Sequence, residues 1–148
     1  MKTPDVNVLV YAVNLDAPQR SVAARWIEDA FSDLAGIAFT WHALAGFLRL
    51  STQPRIVRSA LPLDTALGVV DEWLSHPRAR VIGPTDRHAP MLGRLLIGAG
   101  RGGNLVSDAH LAAIAIEHGA TLGTFDRDFE RFAGLRMDWL QGNAVHEH

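Results

Sequence analysis

Cysteine is absent from this sequence, which rules out a thiolate nucleophile, a disulfide framework and a cysteine-ligated zinc site. Lysine is nearly absent as well: Lys2 is the single one, and the other basic residues are all arginines. Long apolar runs are missing. None approaches the roughly 18 residues that a membrane span requires. Lys2 is followed by Thr3-Pro4-Asp5 rather than by an apolar leader segment. The expectation is a cytoplasmic protein with no membrane partner. Excess charge of one sign is lacking too. A formal net charge of −2 does not suggest non-specific polyanion binding, although it is compatible with a local basic groove. Internal repeats, linkers and low-complexity segments are not seen.

What is present is a chain of 148 residues, 48% of them hydrophobic, long enough for one domain with a real core. Residues 1–140 are expected to form that domain and 141–148 a loose tail. Val6 to Val13 is so rich in valine that propensity alone makes it a strand, although its pattern does not separate a buried strand from a buried helix. Arg20 to Phe31 has apolar residues at spacings of three and four, the pattern of an amphipathic helix. Gly36 to Thr40 reads as a short strand, Trp41 to Leu50 as a helix, and Leu63 to Leu74 as another helix opened by Pro62. Arg80-Val81-Ile82 reads as a strand and Thr85 to Ile97 as a helix capped by Thr85 or Asp86. After the glycine-rich loop from Gly98 to Gly103, Asp108 opens a helix that Gly119 stops. Thr121 to Thr124 is then a strand, Phe129 to Phe132 a helical turn, and Leu135 to Leu140 a last strand. Strands separated by helices imply an α/β fold, a parallel sheet covered on both faces.

Three aspartates stand at the ends of these apolar elements: Asp5, Asp108 and Asp126. An α/β fold gathers such residues at one sheet edge. Converging carboxylates suit a hard dication such as Mg²⁺ or Mn²⁺, which acidifies water and neutralises a phosphate oxygen. Phosphodiester hydrolysis then needs no cysteine or histidine nucleophile. The competing account is structural, since aspartates also cap helices and turns.

The segments Asp5-Val6-Asn7-Val8-Leu9, Gly103-Asn104-Leu105-Val106-Ser107-Asp108-Ala109-His110-Leu111-Ala112-Ala113 and Thr124-Phe125-Asp126-Arg127-Asp128-Phe129 together resemble a PIN domain. The resemblance is to the mycobacterial-type VapC ribonuclease toxins of bacterial toxin–antitoxin pairs, and it runs from Asp5 to about Leu140. It implies a three-layer α/β/α fold with a central parallel sheet, a Mg²⁺- or Mn²⁺-dependent endoribonuclease, a homodimer, and inhibition by a small VapB-type antitoxin. It also implies that Asp5 ends the first strand and that Val6–Val13 is a helix, against propensity. Asp5, Asp108 and Asp126 match the family's metal-binding, catalytic acids. Asp128 matches an acidic neighbour, and Ser107, Thr124 and Asn7 match positions that support the carboxylates by hydrogen bonds.

The sequence departs from the family pattern in two places. The helix after the second strand, Trp41 to Arg49, carries no glutamate; Leu44 stands at the matching position, with Gly46 the alternative. One carboxylate fewer lowers the charge of the site and its affinity for a cation. The lead-in Lys2-Thr3-Pro4 is polar, and Pro4 removes a ladder donor. Among weaker signals, Gly98 to Gly103 fits G-x-G-x-x-G but follows a helix rather than a strand, so the dinucleotide fingerprint fails. Arg101 in that loop is a candidate contact to RNA phosphate. His42 and the four tryptophans are read as packing or surface residues, and His146-Glu147-His148 as tail. The reading taken forward is a metal-dependent endoribonuclease toxin acting on structured RNA. Its chief rival is a weak or inactive PIN domain that binds RNA or antitoxin without cutting. A phosphoacceptor hydrolase is disfavoured, because Asp5-Val6-Asn7 lacks a second aspartate and no lysine is suitably placed.

Overall fold

A computed structural model describes residues 1–141 and 144–147. Its sheet contains β1 (Lys2–Pro4), β2 (Ile37–Phe39), β3 (Ala79–Val81), β4 (Thr121–Thr124), β5 (Arg136–Gln141) and β6 (Ala144–Glu147), in the order β3-β2-β1-β4-β5-β6. β1 to β5 run parallel, and β6 lies antiparallel on β5. In the stretch the sequence left as a tail, Ala144–Glu147 is thus an edge strand, while residues 142, 143 and 148 fall outside the described residues.

Helices α1 (Val6–Val13), α2 (Arg20–Ser32), α3 (Trp41–Ser51) and α4 (Leu63–Ser75) share one core with Ile37 and Phe39 on one face of the sheet. On the other face α5 (His88–Ala99) and α6 (Leu105–Glu117) pack with Leu122 and Met137. This is the three-layer α/β/α arrangement expected. No helix of the described residues is long and apolar enough to cross a membrane.

The valine-rich segment is a helix, not the strand that propensity indicates. Asp5 caps it, its carboxylate accepting from the Val6 amide at 2.7 Å, and Val8, Leu9 and Val10 are buried. A helix apolar on nearly every side is stable only when surrounded, and α2 and α3 supply the surroundings. Tertiary burial therefore overrides a propensity difference of tenths of a kcal/mol per residue.

The polar lead-in is a central strand because its polar atoms are paired. Pro4 is the last residue of β1, and Asp5 takes up the ladder by donating its amide to Gly123 at 2.9 Å. Lys2 Nζ lies 2.5 Å from Oδ2 of buried Asp138, which also accepts from Trp26 Nε1 at 2.9 Å. The Trp26 ring is pressed against Gly123, where an added Cβ would collide with its ring carbons. With β1 and β5 on either side, the strand has no room to retreat. Gly123→Ala should therefore destabilise the fold by about 1–3 kcal/mol, the usual range for overpacking. Urea denaturation would show this as a lower midpoint with an unchanged slope.

Two helix starts differ from expectation. α5 begins at His88, not Thr85, because the Thr85 amide and hydroxyl both donate to the Glu117 carboxylate, at 2.8 and 2.6 Å. α6 begins at Leu105, so Asp108 lies within its first turn rather than opening it.

Candidate active site

The chain passes from β1 to β2 and β3 on one side, then returns to β4 and β5 on the other. The strand order reverses beside β1, and ligands of open α/β sheets bind at the carboxyl ends of strands at such a point. Asp5 follows β1 and Asp126 follows β4. α6 runs back against the strands to feed β4, so its first turn, with Asp108, sits at the same edge. Topology thus brings together residues more than a hundred positions apart.

Asp5, Asp108 and Asp126 line one open cleft of about 580 Å³ with Asn7, Ser107, His42 and Arg49. Asp5 is buried, and both its carboxylate oxygens are fixed: Oδ1 accepts from the Val6 amide and Oδ2 from the Thr124 hydroxyl, each at 2.7 Å. Thr124 Oγ1 in turn accepts from the Asp126 amide at 3.0 Å, so one hydroxyl ties two of the acids together. Asn7 Oδ1 accepts from the Phe125 amide at 3.3 Å and pins the start of the loop that carries Asp126. Ser107 is exposed at the cleft. Asp128 lies outside the cleft lining; its amide donates to Asp126 Oδ1 at 2.9 Å and its carboxylate stands 3.7 Å from Arg131. Arg101 is exposed in the loop before α6 and does not line this cleft, whereas Arg49 does.

Burial pushes the Asp5 carboxyl up to about 6 from its ordinary 3.8; the hydrogen bonds from Thr124 and Val6 oppose this, and the charges of Asp108 and Asp126 add to it. Burial also raises Asp108, with Asp126 reinforcing the rise and Arg131 working against it. Such mutual repulsion is what a hard cation relieves. The donor chemistry, carboxylate oxygens without a lysine or arginine in ion-pair contact among the described residues, fits Mg²⁺ or Mn²⁺. As the side chains stand, no three acids or imidazoles among the described residues converge closely enough to grip a single ion. The acids share a cleft and a field, not a closed coordination shell.

α3 presents His42, Ala45, Gly46 and Arg49 to the cleft. Leu44, the first choice for the missing acid, is fully buried in the core, so no side chain at that position reaches the site. At Gly46 a Cβ would come within 2.8 Å of Val6. The wall opposite the acids is therefore neutral to basic.

The sequence reading overlooked a part-buried polar chain beside this wall. Glu117 Oε2 lies 2.6 Å from His88 Nδ1, and His88 Nε2 lies 2.9 Å from His110 Nδ1. The His110 ring meets His42 edge-on at 5.7 Å. Burial works against the charge of Glu117, but hydrogen bonds from Thr85 and His88 hold it below the usual range. One clue was available: His110 and Glu117 are seven apart on one face of α6, with only Leu, Ala and Ile between them, and an acid buried there needs partners.

A profile of the PIN domain matches residues 2–135. The chain belongs to the PIN domain family. Within that family it is similar to the VapC ribonucleases of Mycobacterium tuberculosis. It is 44% identical to Ribonuclease VapC37 over 138 residues, 93% of this chain and 96% of that one. It is 38% identical to Ribonuclease VapC33 over 136 residues, 92% and 95% of the two chains. Among solved structures, VapBC2 from Rickettsia felis bound to a promoter DNA fragment matches with a TM-score of 0.69 at 22% identity, covering 95% of this chain and 98% of that chain. The sarcin-ricin loop cleaving toxin VapC20 of M. tuberculosis matches with a TM-score of 0.66 at 19% identity, covering 92% and 99%.

Proposed function

We propose that this chain is a VapC-type toxin: an endoribonuclease dependent on Mg²⁺ or Mn²⁺, working as a homodimer on structured RNA and restrained by a small VapB-type antitoxin. The observation that carries the reading is the cleft at the strand reversal, where Asp5, Asp108 and Asp126 meet, where burial and the neighbouring carboxylates raise Asp5 and Asp108, and where no basic side chain among the described residues forms an ion pair with the three. Relatives named as VapC ribonucleases, matching over more than nine-tenths of the chain, support the substrate class. Structural neighbours that are VapBC complexes support the antitoxin.

Asp5, Asp108 and Asp126 are the residues that would hold the cation. When bound, it supplies positive charge to a phosphate oxygen and lowers the pKa of water. Thr124 and the Val6 amide keep the Asp5 carboxylate from rotating, Asn7 and Thr124 fix the loop that carries Asp126, and Asp128 adds negative charge behind it. Arg49, across the cleft, offers a guanidinium to the phosphodiester. The test is cleavage of RNA by the purified chain with Mn²⁺ and with chelator; binding of RNA without cleavage in millimolar Mn²⁺ would favour the inactive rival.

Ala45 gives a second handle. It is exposed on α3 and lines the cleft, whereas Leu44 is core and Gly46 is hemmed in by Val6. Ala45→Glu would restore a fourth carboxylate. The Mn²⁺ concentration for half-maximal cleavage should fall by about tenfold, within the 10- to 100-fold range that supporting groups exert on metal affinity. A metal titration of the cleavage rate reads this directly.

A further inference from the structure

Beside the acid cleft lies a second pocket of about 270 Å³ at the start of α3, lined by Trp41, His42, His110, Val81 and Pro84. The two cavities adjoin at His42, which lines both. Its volume lies just under the roughly 300 Å³ at which drug-sized ligand sites begin, the size class of one ring system. Trp41 and Val81 are 54% and 46% exposed, large apolar side chains left about half uncovered by the fold. Trp41 is nevertheless well placed, as the first residue of a helix whose cap, Thr40, accepts from the Ala43 amide at 3.1 Å.

The polar side of this pocket is built from behind. Glu117 has two acceptor oxygens. Thr85 occupies Oε1 with two donors, so Oε2 takes the proton-bearing Nδ1 of His88. His88 Nε2 and His110 Nδ1 share the next hydrogen bond of the row, one ring donating and the other accepting. His110 Nε2 has no hydrogen-bond partner among the described residues, and its ring is held in one orientation by a row of part-buried hydrogen bonds. The row ties α5 to α6 and ends at His110, a lining residue of the cavity. It is what a site requires when it must distinguish a donor from an acceptor on its ligand.

We propose that this pocket receives one nucleobase of the RNA whose phosphate lies in the acid cleft, with Trp41 as the stacking face and His110 as the polar reader, positioned by His88 and Glu117. The proposal rests on the ribonuclease reading and adds to it a place where sequence is sensed. Aromatic stacking of unpaired bases and hydrogen bonds to their edges are the general means by which proteins read single-stranded or looped RNA.

The test uses the full chain with Asp108→Asn, in Mn²⁺, and two fluorescent oligoribonucleotides of equal length and charge, one with bases and one abasic throughout. Fluorescence anisotropy should give about tenfold tighter binding to the base-bearing strand. Adding Trp41→Ala should bring that strand down to the abasic level, and Trp41→Phe should retain most of the difference. Trp41 is half exposed, so an unchanged melting temperature is expected and checks the fold. His88→Leu, outside the pocket, should flatten the preference among oligo-A, oligo-C, oligo-G and oligo-U while leaving abasic binding unaltered. Equal binding of both strands, no binding at all, or an equal loss on both with Trp41→Ala overturns the proposal. If the wild-type chain cuts no RNA yet base-dependent binding through Trp41 persists, the nuclease reading falls and the pocket stands. If it cuts RNA with no dependence on Trp41 or on the bases, the pocket falls and the nuclease stands.

Discussion

Asp108→Asn protein should cleave RNA about 10²–10³-fold more slowly than wild type in Mn²⁺, with its fold intact. The rate follows from charge. A cation's stabilisation of the reacting phosphate is worth several kcal/mol, and each 1.36 kcal/mol is about tenfold in rate. Asparagine keeps the shape of Asp108 and removes the charge. The structural consequence is small, because among the described residues the Asp108 carboxylate makes no hydrogen bond. Its raised pKa shows that burial and Asp126 disfavour its charge, so the neutral variant should melt at or slightly above the wild-type temperature. Asp5→Asn is a less clean variant: Thr124 and Val6 donate to separate oxygens of Asp5, and an amide offers only one. Asp128→Asn should cost much less than tenfold, since that carboxylate is exposed and lies outside the cleft lining. Gel-resolved single-turnover cleavage by wild type, Asp108→Asn and Asp128→Asn, with circular dichroism melts alongside, decides the matter. Wild-type rates in folded Asp108→Asn protein would remove the acids from the mechanism.

How much of this was readable beforehand depended on how local each signal was. The alternation of strands and helices was legible because its cues act within a few residues: apolar spacing, Pro62 at a helix start, and Gly119 at a left-handed φ of 64° after α6. For α1 the resemblance gave the helix that the structure shows, whereas propensity alone gave a strand, because valine's preference for strands is weak beside burial by α2 and α3. The start of α5 was misplaced because Thr85 bonds to Glu117, thirty-two residues away, instead of capping its own helix. Asp5, Asp108 and Asp126 could be named from motif resemblance, but their shared cleft comes from strand order. Choosing Leu44 for the absent acid failed for a rotational reason: on α3 it points into the core, while His42, Ala45 and Arg49, spaced by three and four, face the acids. The Glu117–His88–His110 row was legible only in its α6 half, because His88 comes from another helix.

Without a divalent cation, this protein should lose stability as pH rises from about 4 to about 6, and Asp5 is the main cause. An acid whose pKa is higher in the folded chain than in the unfolded chain gains a proton on folding between the two values. Below about 3.8 both states hold Asp5 neutral and it contributes nothing. Between 3.8 and about 6 the unfolded chain ionises while the folded chain retains its proton, so the folded state falls behind. Above about 6 the deficit is complete. A shift of that size corresponds to about 3 kcal/mol. For a chain of this length that amounts to roughly 6–12 °C in melting temperature. Asp108, raised for the same reasons, acts in the same direction. Other groups titrate over this range as well, so the informative quantity is the difference between Asp5→Asn and wild type. Asparagine loses one hydrogen bond at every pH, a constant offset, and removes the titration. The stability of Asp5→Asn relative to wild type should therefore increase from pH 4 to 6.5 and then level off. Millimolar Mn²⁺ should erase the increase by stabilising wild-type protein at neutral pH and leaving Asp5→Asn nearly unmoved, because a ligand that binds only the folded state raises its stability by mass action. Thermal melts of both proteins across this range, with chelator and with Mn²⁺, are sufficient. Parallel curves in chelator would mean that Asp5 ionises in the folded protein as it does in water, and the electrostatic case for a cation at this cleft would go with it.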